Sequence, residues 1–387
     1  MTAVDVMSKE DEDAFISVVH DFAMKELLPK YQYWDEHVEF PREMWLKMGQ
    51  LGLTGLRIPE EYGGSEASYV VNGRVTEEIA KGDFNCCYAV QLTGLVAEIL
   101  VKYATDEIKQ DWLPRIAQGS VVVGLCLTEP HAGSDAANIK VSATKSADGL
   151  TYLINGEKSS MTCGMEADGA VVFARTGGEG SRGVSAFWVP FDSPGIMKTP
   201  YRDLGQRGVQ RSSVFFDNVE VPAANMLGNE GRGFPVAMEG FDFARTIIGL
   251  MCCGAAQQCV DETIEYVKER TAYGQPIAKF QGVAFKIAES ASLIEAARAL
   301  CYDSLRRRDN GESHTMQAAM AKLLAPRWSV DIIHECILLH GHYGWSMDFP
   351  IQQRLRDVMG LEIGDGPANI QKMIIARELI GREFQSW

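Results

Sequence analysis

The spacing of apolar residues changes twice along this chain, near residue 120 and near residue 233, and that limits the fold more than any one motif. Up to about residue 118 the spacing is helical. Within Asp11–Glu26, Phe15, Val18, Val19, Phe22 and Ala23 recur close to the 3.6-residue period. Pro41 opens Pro41-Arg42-Glu43-Met44-Trp45, where a first helical turn tolerates a missing N–H. Tyr62-Gly63-Gly64-Ser65 reads as a loop, Tyr69–Lys81 as a helix, and Cys86–Tyr103 as a helix apolar on nearly every face, the pattern of a buried one. From Val121 to Val221 the signal becomes short β-branched runs between Gly and Asp turns: Thr151–Ile154, Ala170–Ala174, Ala186–Val189 and Ser213–Phe216. Asn155-Gly156 is expected to turn a hairpin. Runs at this spacing predict a compact β-barrel or sandwich. After Gly228–Gly233 four long helical segments follow, Pro235–Glu269, Gly282–Asp309, Thr315–Leu339 and Ala368–Arg382, and predict a bundle. The expected fold is α+β, mainly α: a helical N-terminal domain over 1–120, a β-barrel domain over 121–233 and a C-terminal four-helix bundle over 234–387.

Composition narrows the function classes. With 37 basic and 52 acidic residues the net charge is −15, which disfavours nucleic-acid binding. No run is read as long enough for a membrane span. Met1-Thr2-Ala3-Val4-Asp5 has neither a basic region nor an apolar core, so no secretory signal and a cytoplasmic location are expected. The nine cysteines include the adjacent pairs Cys86-Cys87 and Cys252-Cys253 but no Cys-x-x-Cys, and the seven histidines form no HExxH pair. Buried reduced thiols and no metal site are expected.

Five short elements carry residues suited to chemistry. Leu127-Thr128-Glu129-Pro130-His131-Ala132-Gly133-Ser134-Asp135 closes a strand-like run with a turn offering hydroxyls and little bulk. Gly156–Gly164 adds the hydroxyls of Ser159, Ser160 and Thr162. Arg270 ends a helix, where a cation relieves the dipole; its guanidinium equally suits a diphosphate. Asp242 and Arg245 share a helical face, a spacing that also fits an ordinary solvated pair. Gly364-Asp365-Gly366 precedes a helix: Asp365 is either a plain N-terminal cap or a carboxylate with the room a base needs.

Taken together, these elements resemble the acyl-CoA dehydrogenase family over nearly the whole chain. The matching motifs are Thr128-Glu129-Pro130-x-Ala132-Gly133-Ser134-Asp135, Asn155-Gly156-x-Lys158, Arg270-x-x-x-Gly274-x-Pro276-Ile277-x-x-x-Gln281, and Asp365-Gly366 followed by Ile370-Gln371. The resemblance implies FAD as cofactor, an acyl-CoA substrate, electron transfer flavoprotein as electron acceptor and a homotetramer. It implies that Asp365 takes the α-proton of a thioester while the β-hydrogen leaves as hydride. It assigns Leu127, Thr128, Ser160 and Thr162 to the flavin ring and Ser134 to the seam between flavin and CoA. Arg270, Tyr273 and Gln281 would hold a neighbouring subunit's FAD, completed by Leu338, His342, Pro367 and Asn369. Asp242 and Arg245 would meet the CoA moiety, and Gly366 and Gln91 the substrate.

The chain departs from the family pattern in places that bear on the substrate. Asp365 stands where the family usually has Glu, and Ala244 occupies the position from which some members supply a glutamate instead. Ser160 replaces a usual Trp or Phe, and the turn facing the adenine reads Leu338-Leu339-His340-Gly341-His342. A base one methylene shorter suits an α-carbon that is closer or more substituted, so a cyclic or branched acyl group such as cyclohexanecarboxyl is expected. Relatives acting on cyclohexene thioesters place an acid near Gln91, and its amide points to ordinary α,β-oxidation. Two other readings stay open: a nitroalkane oxidase-like flavoenzyme, which also uses an aspartate base, and a non-catalytic acyl-CoA-binding scaffold.

Overall fold

The computed structural model describes residues 8–384, so the reading of Met1–Asp5 lies outside the described residues. Ser8 caps the first helix, α1 (Lys9–Phe22), its Oγ accepting the N–H of Asp11 at 3.2 Å. Helices α2 (Tyr31–His37), α3 (Arg42–Gln50), α4 (Tyr69–Gly82), α5 (Tyr88–Tyr103) and α6 (Asp106–Ala117) follow. Asn85–Tyr103 has the length and hydropathy of a membrane span, which corrects the expectation that no run reaches that length. In the fold 78% of that apolar window is buried inside the protein, so core packing accounts for its hydrophobicity.

Seven strands form one curled sheet: β1 (Val123–Cys126), β2 (Ser142–Lys145), β3 (Thr151–Met161), β4 (Gly169–Arg175), β5 (Val184–Pro190), β6 (Ile196–Pro200) and β7 (Ser212–Pro222). The order is β1-β4-β2-β3-β7-β6, with β5 antiparallel on β4. Asn155-Gly156 is not a hairpin turn. It lies inside β3 at a register shift against β7, with Gly156 at φ 129°. The Asn155 side chain bridges to β7 instead, accepting the N–H of Asn218 at 2.8 Å. The β2–β3 hairpin turns earlier, at Asp148-Gly149, where Gly149 has φ 76° and Asp148 Oδ1 accepts the N–H of Leu150 at 3.0 Å. Both sites carry the same type of signal. Pairing of β3 along the length of β7 decides which one bends the chain.

The C-terminal helices are α7 (Gly233–Glu269), which a short ribbon of β8 (Thr271–Ala272) and β9 (Gln275–Pro276) separates from α8 (Gln281–Asp309), then α9 (Thr315–His340), α10 (His342–Trp345), α11 (Ile351–Met359) and α12 (Ala368–Ile380). Gly254 lets α7 press on α4, since a Cβ there would sit 2.3 Å from the Glu77 carbonyl oxygen. Buried Arg354 ties α11 to α7 through two bonds to Glu262, at 2.6 and 2.8 Å. All nine cysteines are buried and free.

Where α4 ends, Asp83 is enclosed beside Asp357 of α11. Asp83 Oδ1 accepts the N–H groups of Asn85 at 2.6 Å and Cys86 at 3.3 Å, while Oδ2 has no partner among the described residues. Burial, reinforced by the charge of Asp357, pushes the Asp83 carboxyl up to about 7, and burial pushes Asp357 up to about 6. Both values exceed the unfolded range near 4, so the folded chain holds these protons more tightly. Their contribution to stability is complete below about pH 4 and is lost as pH rises through about 6 to 7. Asp83→Asn keeps an acceptor and cannot ionise. Urea melts should show its stability relative to wild type rising between pH 5 and pH 8, by roughly 1–3 kcal/mol. Equal offsets at the two pH values would contradict this.

Candidate active site

The sheet delivers two hydroxyl-bearing segments to one cavity. Beyond β1 the Leu127–Asp135 turn is pinned by a buried ion pair. Glu129 accepts the N–H groups of Lys140 at 2.6 Å and Val141 at 3.0 Å, and Lys158 of β3 donates to Glu129 Oε1 at 2.7 Å and to the Leu127 carbonyl at 2.9 Å. The Ser159 N–H donates to the Thr128 carbonyl at 2.8 Å, which joins the two segments directly. A second register shift in β3, between Lys158 and Met161, coincides with Ser160 at φ 56°. Ser159 and Ser160 have no register partner on β7 at this shift, and with Thr162 they line the cavity beside Leu127, Thr128, Gly133 and Ser134.

The cavity measures about 740 Å³. Opposite the hydroxyls, α5 contributes Gln91, Leu92 and Leu95, and α7 contributes Phe241, Arg245 and Ile248. Among the described residues the Gln91 side-chain oxygen is buried without a partner. The loop between α11 and α12 closes the remaining wall and carries Asp365, half-buried at φ 52° between Gly364 and Gly366. Asp365 is therefore no cap: Pro367 occupies that position on α12. Asp203 and Glu362 also line the cavity, but Asp203 pairs with Arg211 at 3.5 Å and Glu362 is exposed. Burial raises the Asp365 carboxyl above its ordinary range, against the pull of Lys322, Arg245 and Arg211. A carboxylate held this way is a stronger base than one in water.

Of the residues singled out from the sequence, Leu127, Thr128, Ser134, Ser160, Thr162, Gln91, Arg245, Asp365, Gly366 and Pro367 share this cavity. Asp242 stands behind it, accepting from Arg245 at 2.9 Å and from the Thr315 hydroxyl at 2.6 Å. Arg270, Tyr273, Gln281, Leu338, His342 and Asn369 are exposed and do not line it; Tyr273, at φ 51°, is 96% accessible. A single chain does not bring those six to the cavity. The sequence reading missed Tyr88, Gln206, Arg211 and Arg356 in its wall, and Lys322 behind Asp365. The first four carry no local signal. Lys322 had one: a single cation within Ala318–Ala325, otherwise a run of Ala, Met and Leu.

Family models for acyl-CoA dehydrogenases match the N-terminal domain at residues 9–120, the middle domain at 124–219 and the C-terminal domain at 231–380. The chain is 37% identical to the probable acyl-CoA dehydrogenase YngJ of Bacillus subtilis (strain 168), covering 94% of this chain and 96% of that protein. It is 32% identical to the mitochondrial isobutyryl-CoA dehydrogenase of Dictyostelium discoideum, covering 96% and 89%. The solved butyryl-CoA dehydrogenase of Megasphaera elsdenii superposes with a TM-score of 0.93 at 32% identity, covering 97% of this chain and all of that one. Fold, cavity and these matches define a flavoprotein oxidoreductase. Within that class the chain belongs to the acyl-CoA dehydrogenase family, whose members depend on FAD and dehydrogenate acyl-CoA thioesters. The lining fits such a cofactor: Thr128, Ser160 and Thr162 bring hydroxyls and Leu127 an apolar side chain to the cavity wall, groups that would suit a ring edge bearing carbonyls and nitrogens.

Proposed function

We propose that this enzyme dehydrogenates a cyclic or α-branched acyl-CoA thioester, such as cyclohexanecarboxyl-CoA, with Asp365 as the base. The observation that carries the reading is Asp365 itself, a carboxylate on the cavity wall that accepts no hydrogen bond from the described residues. It takes the proton from the α-carbon. Bound FAD supplies the acceptor for the β-hydrogen and its electron pair. Leu127, Thr128, Ser160 and Thr162 orient the flavin ring, Ser134 sits at the seam with the thioester, and Arg245, held from behind by Asp242, receives the CoA portion. The exposed Arg270, Tyr273 and Gln281, with Leu338, His342 and Asn369, suit contact with a cofactor across a subunit boundary, and Pro367 completes that set from the cavity wall. That placement supports a homotetramer. Membership of the family supports electron transfer flavoprotein as acceptor.

An aspartate reaches roughly 1 Å less far than a glutamate, a difference to which proton transfer is sensitive. An α-carbon pushed toward the loop by ring or branch substituents meets a shorter base. The relative named for isobutyryl-CoA, a branched thioester, supports this direction. Gln91 places an amide in the wall where a second, acidic group would serve a further oxidation. The Asp242–Arg245 pair, with Arg245 buried, favours a CoA ester over a small nitroalkane.

A panel of acyl-CoA thioesters tests the assignment. Cyclohexanecarboxyl- or isobutyryl-CoA should exceed butyryl- and octanoyl-CoA in kcat/KM by about tenfold or more, the scale on which pocket shape discriminates. A straight-chain thioester as best substrate would overturn the specificity reading, and oxygen uptake with nitroethane would overturn the substrate class.

A further inference from the structure

Lys322 lies about two turns into α9 and is 2% exposed. A buried ammonium needs partners, and these are backbone carbonyls of the loop that carries Asp365. Its Nζ donates to the Leu361 carbonyl at 2.5 Å and to the Gly366 carbonyl at 3.4 Å. Gln371 Nε2 adds bonds to the Asp365 carbonyl at 3.2 Å and the Gly366 carbonyl at 2.8 Å, and Arg245 Nε approaches the Asp365 carbonyl at 3.5 Å. The loop is thus held by its carbonyls from behind, and the Asp365 carboxylate is left free on the cavity side. The backbone needs such restraint, because Asp365 at φ 52° occupies a region that L-residues rarely adopt.

We propose that Lys322 is a positioning residue for proton abstraction: its ammonium clamps the Leu361–Gly366 loop and presents Asp365 to the substrate. This rests on Asp365 being the base. The same charge favours the ionised carboxylate. Lys322 is the largest of three cations that lower the Asp365 carboxyl, ahead of Arg245 and Arg211. The other groups facing this region are Tyr88 of α5, Glu362 of the same loop, Cys252 of α7 beside Lys322, Asp242 paired with Arg245, and Asp203 paired with Arg211. Burial keeps the Cys252 thiol and the Tyr88 phenol protonated, so neither replaces the lost cation.

The test is the pH profile of anaerobic flavin bleaching by the best acyl-CoA, measured on FAD-loaded wild type, Lys322→Gln, Lys322→Arg and Asp365→Asn. Activity needs ionised Asp365 and falls on the acid side. Removing the cation should therefore move the acid limb to higher pH by about one unit, with acyl-CoA affinity changed by less than about threefold. Lys322→Gln keeps a donor for Leu361 and loses the charge, while Lys322→Arg keeps the charge and should hold the limb near wild type. An unmoved limb in Lys322→Gln, or one displaced equally in Lys322→Arg, overturns the proposal. Asp365→Asn separates the two ideas: if it bleaches normally, the base assignment fails first. If it is inactive and the Lys322 variants match wild type, only the clamp fails. Circular dichroism of Lys322→Gln and Lys322→Arg confirms that folded protein is compared.

Discussion

Asp365→Asn is expected to fold, retain FAD and bind acyl-CoA, yet lose between about a hundredfold and ten-thousandfold in kcat, the range a positioned general base contributes. Asparagine is the informative replacement because it tolerates the left-handed backbone that position 365 requires at φ 52°, whereas alanine adds strain there. The amide occupies the same space and cannot take a proton. Stopped-flow reduction of the bound flavin measures the step directly, and turnover within about threefold of wild type would refute the base. Asp365→Glu extends the reach by one methylene. It should shift preference toward straight-chain thioesters in the same assay.

The second large effect is structural. Lys158→Met should destabilise the protein by about 3–5 kcal/mol, because it leaves the buried Glu129 carboxylate without its cation. Lys158 is fully buried and Glu129 is 2% exposed, so water cannot readily substitute. Burial alone drives the Lys158 ammonium toward its neutral form, and the charge of Glu129 opposes this. The loss should reach the site as well, since Lys158 also holds the Leu127 carbonyl at the start of the cavity-lining turn. The double variant Glu129→Gln/Lys158→Met removes both charges and should recover part of the stability. Denaturant melts of wild type, Lys158→Met, Glu129→Gln and the double variant form a double-mutant cycle. A single-variant cost below about 1 kcal/mol would mean that the pair does not pin the turn.

Different parts of the site were legible to different degrees. Gly364-Asp365-Gly366 announced an accessible carboxylate because an acid flanked by two glycines has no neighbouring side chain to shield it or pair with it. The Thr128–Ser134 turn was recognisable through its hydroxyls, but the function of its Glu129 was not. That carboxylate faces inward, toward Lys158 on a strand whose course the sequence misstated. The misreading at Asn155-Gly156 has a plain cause: a local turn preference of this kind is outweighed when eight residues of β3, between Thr151 and Met161, pair with β7. Asp83 and Asp357 gave no warning either. Each is an ordinary aspartate in its own neighbourhood, and only the packing of α11 against the end of α4 encloses them together.

By itself the sequence determined the order of helices, sheet and helices, since hydrophobic periodicity is a local property that a chain cannot hide. It also supplied the chemistry of the cavity, because hydroxyls, one free carboxylate and an arginine are visible as letters. Tertiary structure decided which of those groups meet. It brought Ser160 and Thr162 beside Thr128, and set Lys322 behind Asp365. It left Arg270, Tyr273 and Gln281 on the outer surface. The physical reason is that burial and charge proximity, which set the strength of a base and the rigidity of its loop, arise from contacts between segments far apart in the chain.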